Sequence, residues 1–232
     1  AQMLLGDVKQ EQGMTNDLNL EGGDIHLAGD ILVENLNVKA DKLTNDNGAT
    51  VTAINAVTIE GNSALAIGQT YALNVNADEV TVTNGSDITL NDVNAADTTL
   101  TIEATGTVTL TSVSNMDGTI TADTLDIEGG KIAAFDTTVE NLTVNNVSDV
   151  AEITNDGDIT INKSALAGEL NVTGDTVTID DTTVTAGSII LLGETIAMND
   201  AVVTATSGNA EFTGNLTSEG QLILSADQAA FF

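Results

Sequence analysis

Pairs of aliphatic residues separated by one other residue recur from one end of the chain to the other, and Thr, Asn, Asp or Gly flank them. An alternation of period two is typical of a β-strand that buries one of its faces. Each apolar run spans only about three to five residues, which is the short end of the range for strands. The pairs are Leu18/Leu20, Ile25/Leu27, Leu36/Val38, Val57/Ile59, Leu73/Val75, Val80/Val82, Ile88/Leu90, Leu100/Ile102, Val108/Leu110, Leu125/Ile127, Leu142/Val144, Ile159/Ile161, Leu170/Val172, Val177/Ile179, Ile189/Leu191 and Leu222/Leu224.

These pairs return at a nearly constant spacing. The pairs that begin at Leu125, Leu142 and Ile159 are each about 17 residues apart, and gaps of roughly 16 to 21 residues cover most of the chain. Self-similarity of this kind is typical of a solenoid, in which each unit forms one coil of two or three short strands. We therefore predict an all-β fold, a parallel β-helix (β-solenoid) of about 11–12 coils.

The pattern divides the chain into three predicted segments and defines a predicted core. Residues 1–16 form an N-terminal cap or subunit-contact segment, residues 17–225 the β-solenoid, and residues 226–232 an apolar tail. The competing architecture is a pair of immunoglobulin-like sandwiches or a jelly roll, which the single Tyr71 and the absence of Trp disfavour. The predicted inward residues are Val108, Leu110, Leu125, Ile127, Leu142, Val144, Ile159, Ile161, Leu170, Val172, Val177 and Ile179.

Composition excludes several classes of function. The chain has 5 Lys+Arg against 35 Asp+Glu, a formal charge of -30, so it lacks the basic face that a nucleic-acid binder needs. It has no Cys and a single histidine, His26, which excludes disulfides, thiolate zinc sites and His-rich metal sites. No apolar run approaches the roughly 20 residues of a membrane helix, so we predict no membrane span.

Four segments carry a resemblance to a known group of proteins: Gly157-Asp158-Ile159-Thr160-Ile161, Gly168-Glu169-Leu170-Asn171-Val172-Thr173-Gly174, Thr176-Val177-Thr178-Ile179, and Asn215-Leu216 through Gln221-Leu222-Ile223-Leu224. In the style of these repeats the chain resembles bacterial surface β-helices of the filamentous-haemagglutinin-like and autotransporter-passenger type. The resemblance covers most of the chain. It implies a right-handed parallel β-helix, located outside the cell, with an adhesive or scaffolding role.

Acidic turns are the candidate metal sites. Carboxylates and Asn oxygens at alternate positions suit Ca²⁺, which prefers oxygen ligands, although the spacing of an EF-hand is absent. The simpler interpretation is that these residues form turns and keep the protein soluble. The candidate Ca²⁺ ligands are Asp46, Asp117, Asp156, Asp158, Asp180 and Asp181.

Two further activities are weak alternatives. A β-helix enzyme acting on carbohydrate needs two carboxyl groups at a set separation, whereas the neighbours Asp180 and Asp181 would face opposite sides of a strand. Threonine pairs such as Thr176/Thr178 could form the flat ladder of an ice-binding protein, but their spacing is irregular and any exposed strand face favours Thr. We therefore predict that the protein is not an enzyme and has no cofactor; structural Ca²⁺ at the acidic turns is the alternative.

The chain ends are apolar, with Met3, Leu4 and Leu5 near the start and Phe231 and Phe232 at the finish. A β-helix ends in an unpaired coil, which these residues either cap or use for contact with a second copy. A head-to-tail contact that does not close produces a filament. We predict a secreted or surface-exposed protein that self-associates into an extracellular filament or matrix fibre; the alternative is a monomeric adhesin fragment that binds a host or matrix ligand.

Overall fold

The computed structural model describes residues 2–9, 17–68, 73–91, 93–94, 99–113 and 116–232. The chain divides into two compact units, Ala1–Ser112 with Met116–Thr119, and Val113–Asn115 with Ile120–Phe232. All secondary-structure elements in the described ranges are β-strands. This confirms the predicted all-β class.

The strands that begin in the first unit are β1 (Gln2–Leu5), β2 (Val8–Lys9), β3 (Asp17–Glu21), β4 (Asp24–Leu27), β5 (Ile31–Asn45), β6 (Thr50–Ile67), β7 (Leu73–Asn76), β8 (Glu79–Asn84), β9 (Ile88–Asn91), β10 (Val93–Asn94), β11 (Thr99–Ala104), β12 (Thr107–Val113) and β13 (Met116–Thr121). The strands of the second unit are β14 (Thr124–Thr138), β15 (Asn141–Asn155), β16 (Ile159–Ile161), β17 (Ser164–Ala165), β18 (Glu169–Thr173), β19 (Thr176–Asp180), β20 (Thr183–Ala186), β21 (Ser188–Asn199), β22 (Ala201–Ala205), β23 (Ala210–Thr217), β24 (Leu222–Ser225) and β25 (Ala229–Phe231).

Strand β5 shows how one coil is built. Its residues 31–32 pair with β2, residues 35–39 with β3 and residues 42–45 with β4, so the chain turns two corners within one continuous strand. All three pairings are parallel, as are those that join β5 to β6 in the next coil. A β-sandwich of the immunoglobulin type pairs its strands antiparallel, so the sandwich alternative is wrong and the parallel solenoid is confirmed.

In the first unit the coils align their inward residues in columns. Parallel pairing places one residue from each successive coil in a single column, namely Met3, Ile25, Leu43, Ile67, Leu90 and Leu110. The last five of these side chains are at most 2% exposed. The interior of this unit is therefore a narrow aliphatic column with one layer for each coil.

The second unit repeats this arrangement with phenylalanine at both ends of a column. The column consists of Phe135, Ile153, Val172, Leu191, Phe212 and Phe231, again with one residue from each coil. The Phe212 and Phe231 rings stack with their centroids 5.3 Å apart and their planes at 21°. Ring stacking at the two C-terminal layers adds about 0.5–1.5 kcal/mol to the burial of apolar area.

The two units together contain about ten turns, fewer than the eleven or twelve predicted. The physical reason is that several coils are longer than the repeat that the sequence pattern indicated. Leu43 and Ile67, which are neighbours in one column, are separated by more residues than Ile25 and Leu43 are. The extra residues lie in a corner, where the register between β5 and β6 shifts after Ala40. The right-handed winding implied by the resemblance stays a prediction.

The predicted inward residues lie in this interior. All twelve, which include Val108 and Leu110 in the first unit and Leu142 and Val172 in the second, are at most 1% exposed. Their neighbours along each strand face outward, as in β18, where Glu169, Asn171 and Thr173 flank the two buried residues. The alternation of apolar and polar residues thus corresponds directly to the inner and outer faces of the coil.

Candidate functional site

The C-terminal coil ends in three free strand edges. Within the described residues, the segment 215–217 of β23, strand β24 and strand β25 each pair with the preceding coil and with no following one. A parallel strand that is paired on one side offers a row of backbone N–H and C=O groups to any further strand. These three segments therefore form the last edge of the described ladder in the second unit.

The apolar columns of the second unit also become exposed at this coil. Phe231 is 51% exposed, whereas Phe212 directly before it in the column is 1% exposed. Leu216 pairs with the fully buried Ile196 and is 36% exposed. Phe232, the last residue, is 77% exposed. In these two columns the terminal coil therefore presents apolar side chains, whereas the residue one layer earlier is buried.

The N-terminal coil of the first unit has the corresponding free edges in β1, β2 and β3, each of which pairs only with the following coil in the described part of the chain. Among the predicted contact residues, Met3 and Leu5 are partly buried and pair with the buried Ile25 and Leu27. Leu4 lies between them, is 69% exposed and pairs with the outward-facing His26. Leu4 thus belongs to the outer surface of the coil, whereas Met3 and Leu5 belong to its inner edge.

The predicted N-terminal segment 1–16 is described only in part, since Ala1 and residues 10–16 lie outside the described residues. The C-terminal segment 226–232 contains β25, whose backbone N–H and C=O groups pair with those of β23. The Phe232 N–H also donates to the Phe212 carbonyl at 2.9 Å. The predicted tail is therefore held by the same ladder that joins the other coils.

Both ends carry charge of the same sign. Exposed carboxylates of the N-terminal coil are Asp7, Asp17 and Glu21, and those of the C-terminal coil include Glu219 and Asp227. Like charges repel over about one Debye length, roughly 8 Å at physiological ionic strength. Any contact between the two ends is therefore opposed by electrostatic repulsion that salt reduces.

The acidic turns hold the coils together. A side-chain oxygen at a corner repeatedly accepts the backbone N–H of a residue in the next coil, as Asp158 Oδ1 does from Thr176 at 3.0 Å. The same contact joins Asp30 to Thr50 at 3.0 Å and Asp200 to Gln221 at 2.8 Å. A carboxylate that accepts a backbone N–H forms a charge-assisted bond, so these corner contacts have a structural role of their own.

The structure does not bring the predicted Ca²⁺ ligands into one site. Asp156 and Asp158 share one corner, Asp180 and Asp181 lie at another, and all four are exposed. The Asp117 side chain lies outside the described residues. Among the residues that are described, no three acidic or imidazole side chains come together in a group that could hold a metal ion. Structural Ca²⁺ stays a prediction.

Asp46 instead contacts His26, the only histidine of the chain. The His26 Nε2 lies 3.0 Å from Asp46 Oδ1, and its Nδ1 lies 2.9 Å from Thr44 Oγ1. The imidazole therefore bridges its own coil to the next one. This outward position agrees with the alternation in β4, where His26 separates the buried Ile25 and Leu27.

One depression in the outer surface of the first unit has a volume of about 300 Å³. It lies over a corner and is open to solvent. Two outward carboxylates, Glu60 and Glu103, flank Thr83 in the same column of outward residues, and Lys39 Nζ lies 3.0 Å from Glu60 Oε1. Its lining residues are Glu60, Thr83, Asn84, Gly85, Glu103, Ala104 and Thr105.

Sequence patterns did not reveal three asparagines that are buried at corners in the described part of the chain. Asn45, Asn84 and Asn155 are 4%, 7% and 6% exposed, and each donates from Nδ2 to a carbonyl of the following turn. Asn155 Oδ1 also accepts from Thr137 Oγ1 at 2.8 Å and from the Val139 N–H at 2.9 Å. The available signal was that each Asn ends an alternating run at an inward position, immediately before a turn rich in Asp and Gly.

Comparisons with protein-family models, with curated proteins and with solved structures found no match. Within the described residues, no helix is long and apolar enough to cross a membrane. The structure therefore defines the class of protein by its fold, a parallel β-solenoid.

Proposed function

We propose that this protein is an extracellular or cell-surface structural β-solenoid, and that copies join head to tail into a filament or matrix fibre. The observation that carries the proposal is the C-terminal coil, where the apolar column continues to the surface and Phe231 is 51% exposed. The location outside the cell rests on the resemblance of the repeats to those of bacterial surface β-helices.

The joint would repeat a contact that already exists between coils. All coils run in the same direction. The N-terminal strands of one copy could therefore pair in parallel with the C-terminal strands of another copy, as the strands of successive coils already do. A Phe side chain buries about 150–250 Å². Covering the exposed half of Phe231 at about 25 cal/mol per Å² would contribute about 2–3 kcal/mol, and the free ladder edges would add backbone hydrogen bonds.

The geometry of such a joint is heterologous, because an N-terminal coil meets a C-terminal coil. A heterologous contact that does not close into a ring extends into a filament. The charge of -30 on each copy keeps neighbouring filaments apart sideways. It also opposes the joint itself, so higher ionic strength is expected to lengthen the filaments.

The test compares the native chain with Phe231→Asp by sedimentation and negative-stain electron microscopy over a range of protein and salt concentrations. We expect the native chain to form filaments and Phe231→Asp to remain monomeric. Ile132→Asp is the matched control, since Ile132 is 39% exposed on the outer face of the same unit. This control should still form filaments.

A native chain that stays monomeric at every concentration and ionic strength would overturn the proposal and favour the monomeric adhesin alternative. Filaments that persist in Phe231→Asp would place the contact elsewhere on the surface. The same samples prepared with Ca²⁺ or with a chelator test whether structural Ca²⁺ contributes to the joint.

A further inference from the structure

The chain contains two Asn-Gly steps, Asn47-Gly48 and Asn84-Gly85. Asn-Gly is the dipeptide in which the following backbone nitrogen most easily attacks the Asn side-chain amide, because glycine has no Cβ to block the approach. The structure places these two asparagines in opposite environments. Asn47 is exposed, whereas Asn84 is 7% exposed and donates from Nδ2 to the Asp87 carbonyl at 2.7 Å.

The two glycines themselves do not differ in crowding. A Cβ added at Gly48 or at Gly85 would meet nothing within 4 Å. The contrast between the two steps therefore lies in the asparagine side chain. Asn47 lies in a solvent-exposed turn, in which the Ala49 N–H donates to the Asp46 carbonyl at 3.1 Å. Asn84 is buried under its turn, and its amide must leave this position before it can react.

We propose that Asn47 is a site of spontaneous deamidation in the folded protein and that burial protects Asn84 from the same reaction. The Gly48 nitrogen attacks Cγ of Asn47, a new N–Cγ bond forms, and the Cγ–Nδ2 bond breaks. The Gly48 amide proton leaves with the NH₂ group as ammonia, and a cyclic imide remains. Water then opens the imide at either carbonyl and yields aspartate or isoaspartate.

The product changes the charge and the backbone of this corner. Deamidation adds a carboxylate next to Asp46, whose Oδ1 lies 3.0 Å from His26 Nε2. The isoaspartate form also inserts one methylene group into the backbone of the turn. A preparation of this protein therefore becomes more acidic and more heterogeneous with age, and the fastest part of this change occurs at this exposed corner of the first unit.

The experiment follows both steps by peptide mapping and mass spectrometry while the full chain is kept in mildly alkaline buffer. In the folded protein we expect Asn47 to deamidate at least about tenfold faster than Asn84, since one net hydrogen bond near the upper end of its usual range corresponds to about that factor. In urea, which unfolds both corners, the two rates should become similar. Asn47→Gln should remove the fast component from the folded protein.

Three results would overturn the proposal. Equal deamidation rates at Asn47 and Asn84 in the folded protein would show that burial does not protect Asn84 from deamidation. If Asn47 still deamidated faster than Asn84 in urea, the difference between their rates would be due to the neighbouring sequence and not to the fold. Both asparagines could instead react slowly in the folded protein and fast in urea. This result would show that the turn protects Asn47 as effectively as burial protects Asn84.

Discussion

Removal of the Asn155 amide tests how much the hydrogen bonds of this buried corner asparagine stabilise the second unit. Asn155→Ala deletes the acceptor for the Val139 N–H and the Thr137 hydroxyl, and also the Nδ2 donor to the Asp158 carbonyl. Val139 and Thr137 are 4% and 3% exposed, so water reaches their polar groups poorly. A buried donor left without a partner costs about 1–3 kcal/mol, and lost hydrogen bonds add about 1 kcal/mol each.

From these contributions we expect Asn155→Ala to lower the free energy of unfolding by about 3 kcal/mol, measured by urea titration with far-UV circular dichroism. Hydrogen exchange adds a local measurement, because the Val139 amide should lose protection in the variant. The control is Asn209→Ala, which truncates an exposed asparagine in the same unit and should cost less than about 0.5 kcal/mol. If the two variants had equal stability, the hydrogen bonds of Asn155 would not stabilise the corner.

Three further predictions concern charge and packing. Leu142→Asp, which places a carboxylate at a fully buried position, should abolish folding of the second unit, whereas Asp180→Asn at an exposed position should leave its melting temperature almost unchanged. Asp158→Ala should cost about 1–2 kcal/mol through loss of the bond from the Thr176 N–H, and Asp158→Asn, which keeps the acceptor oxygen, should recover most of that loss in urea titrations. Added salt should raise the melting temperature of the native chain, because screening reduces repulsion within a protein of charge -30; a fall in melting temperature with salt would contradict this.

The course of the strands could be predicted from the sequence because the signal is local. An inward position such as Leu170 or Val172 is recognised from its immediate neighbours, and both residues are fully buried. The absence of Pro and the scarcity of aromatic residues also agree with a slim column of ladder-paired coils. Parallel pairing followed from the repeat, since equivalent strands of successive units can align only in the same direction.

The corner contacts could not be predicted in the same way. The bond from the Thr176 N–H to Asp158 and that from the Thr50 N–H to Asp30 join residues that are distant in sequence, and such pairs are determined by the register between coils. That register depends on how many residues each corner contains. Because the coils of the first unit differ in length, the sequence does not reveal which Asp meets which N–H group.

The sequence by itself determined that the chain forms short strands with one apolar face and that these strands repeat, because both properties depend on residues only a few positions apart. The tertiary structure alone decided that Phe231 is 51% exposed whereas Phe212, one layer before it in the same column, is 1% exposed. The physical reason is that exposure at a given coil depends on whether another coil lies beside it. This is a property of the stack and not of the repeat.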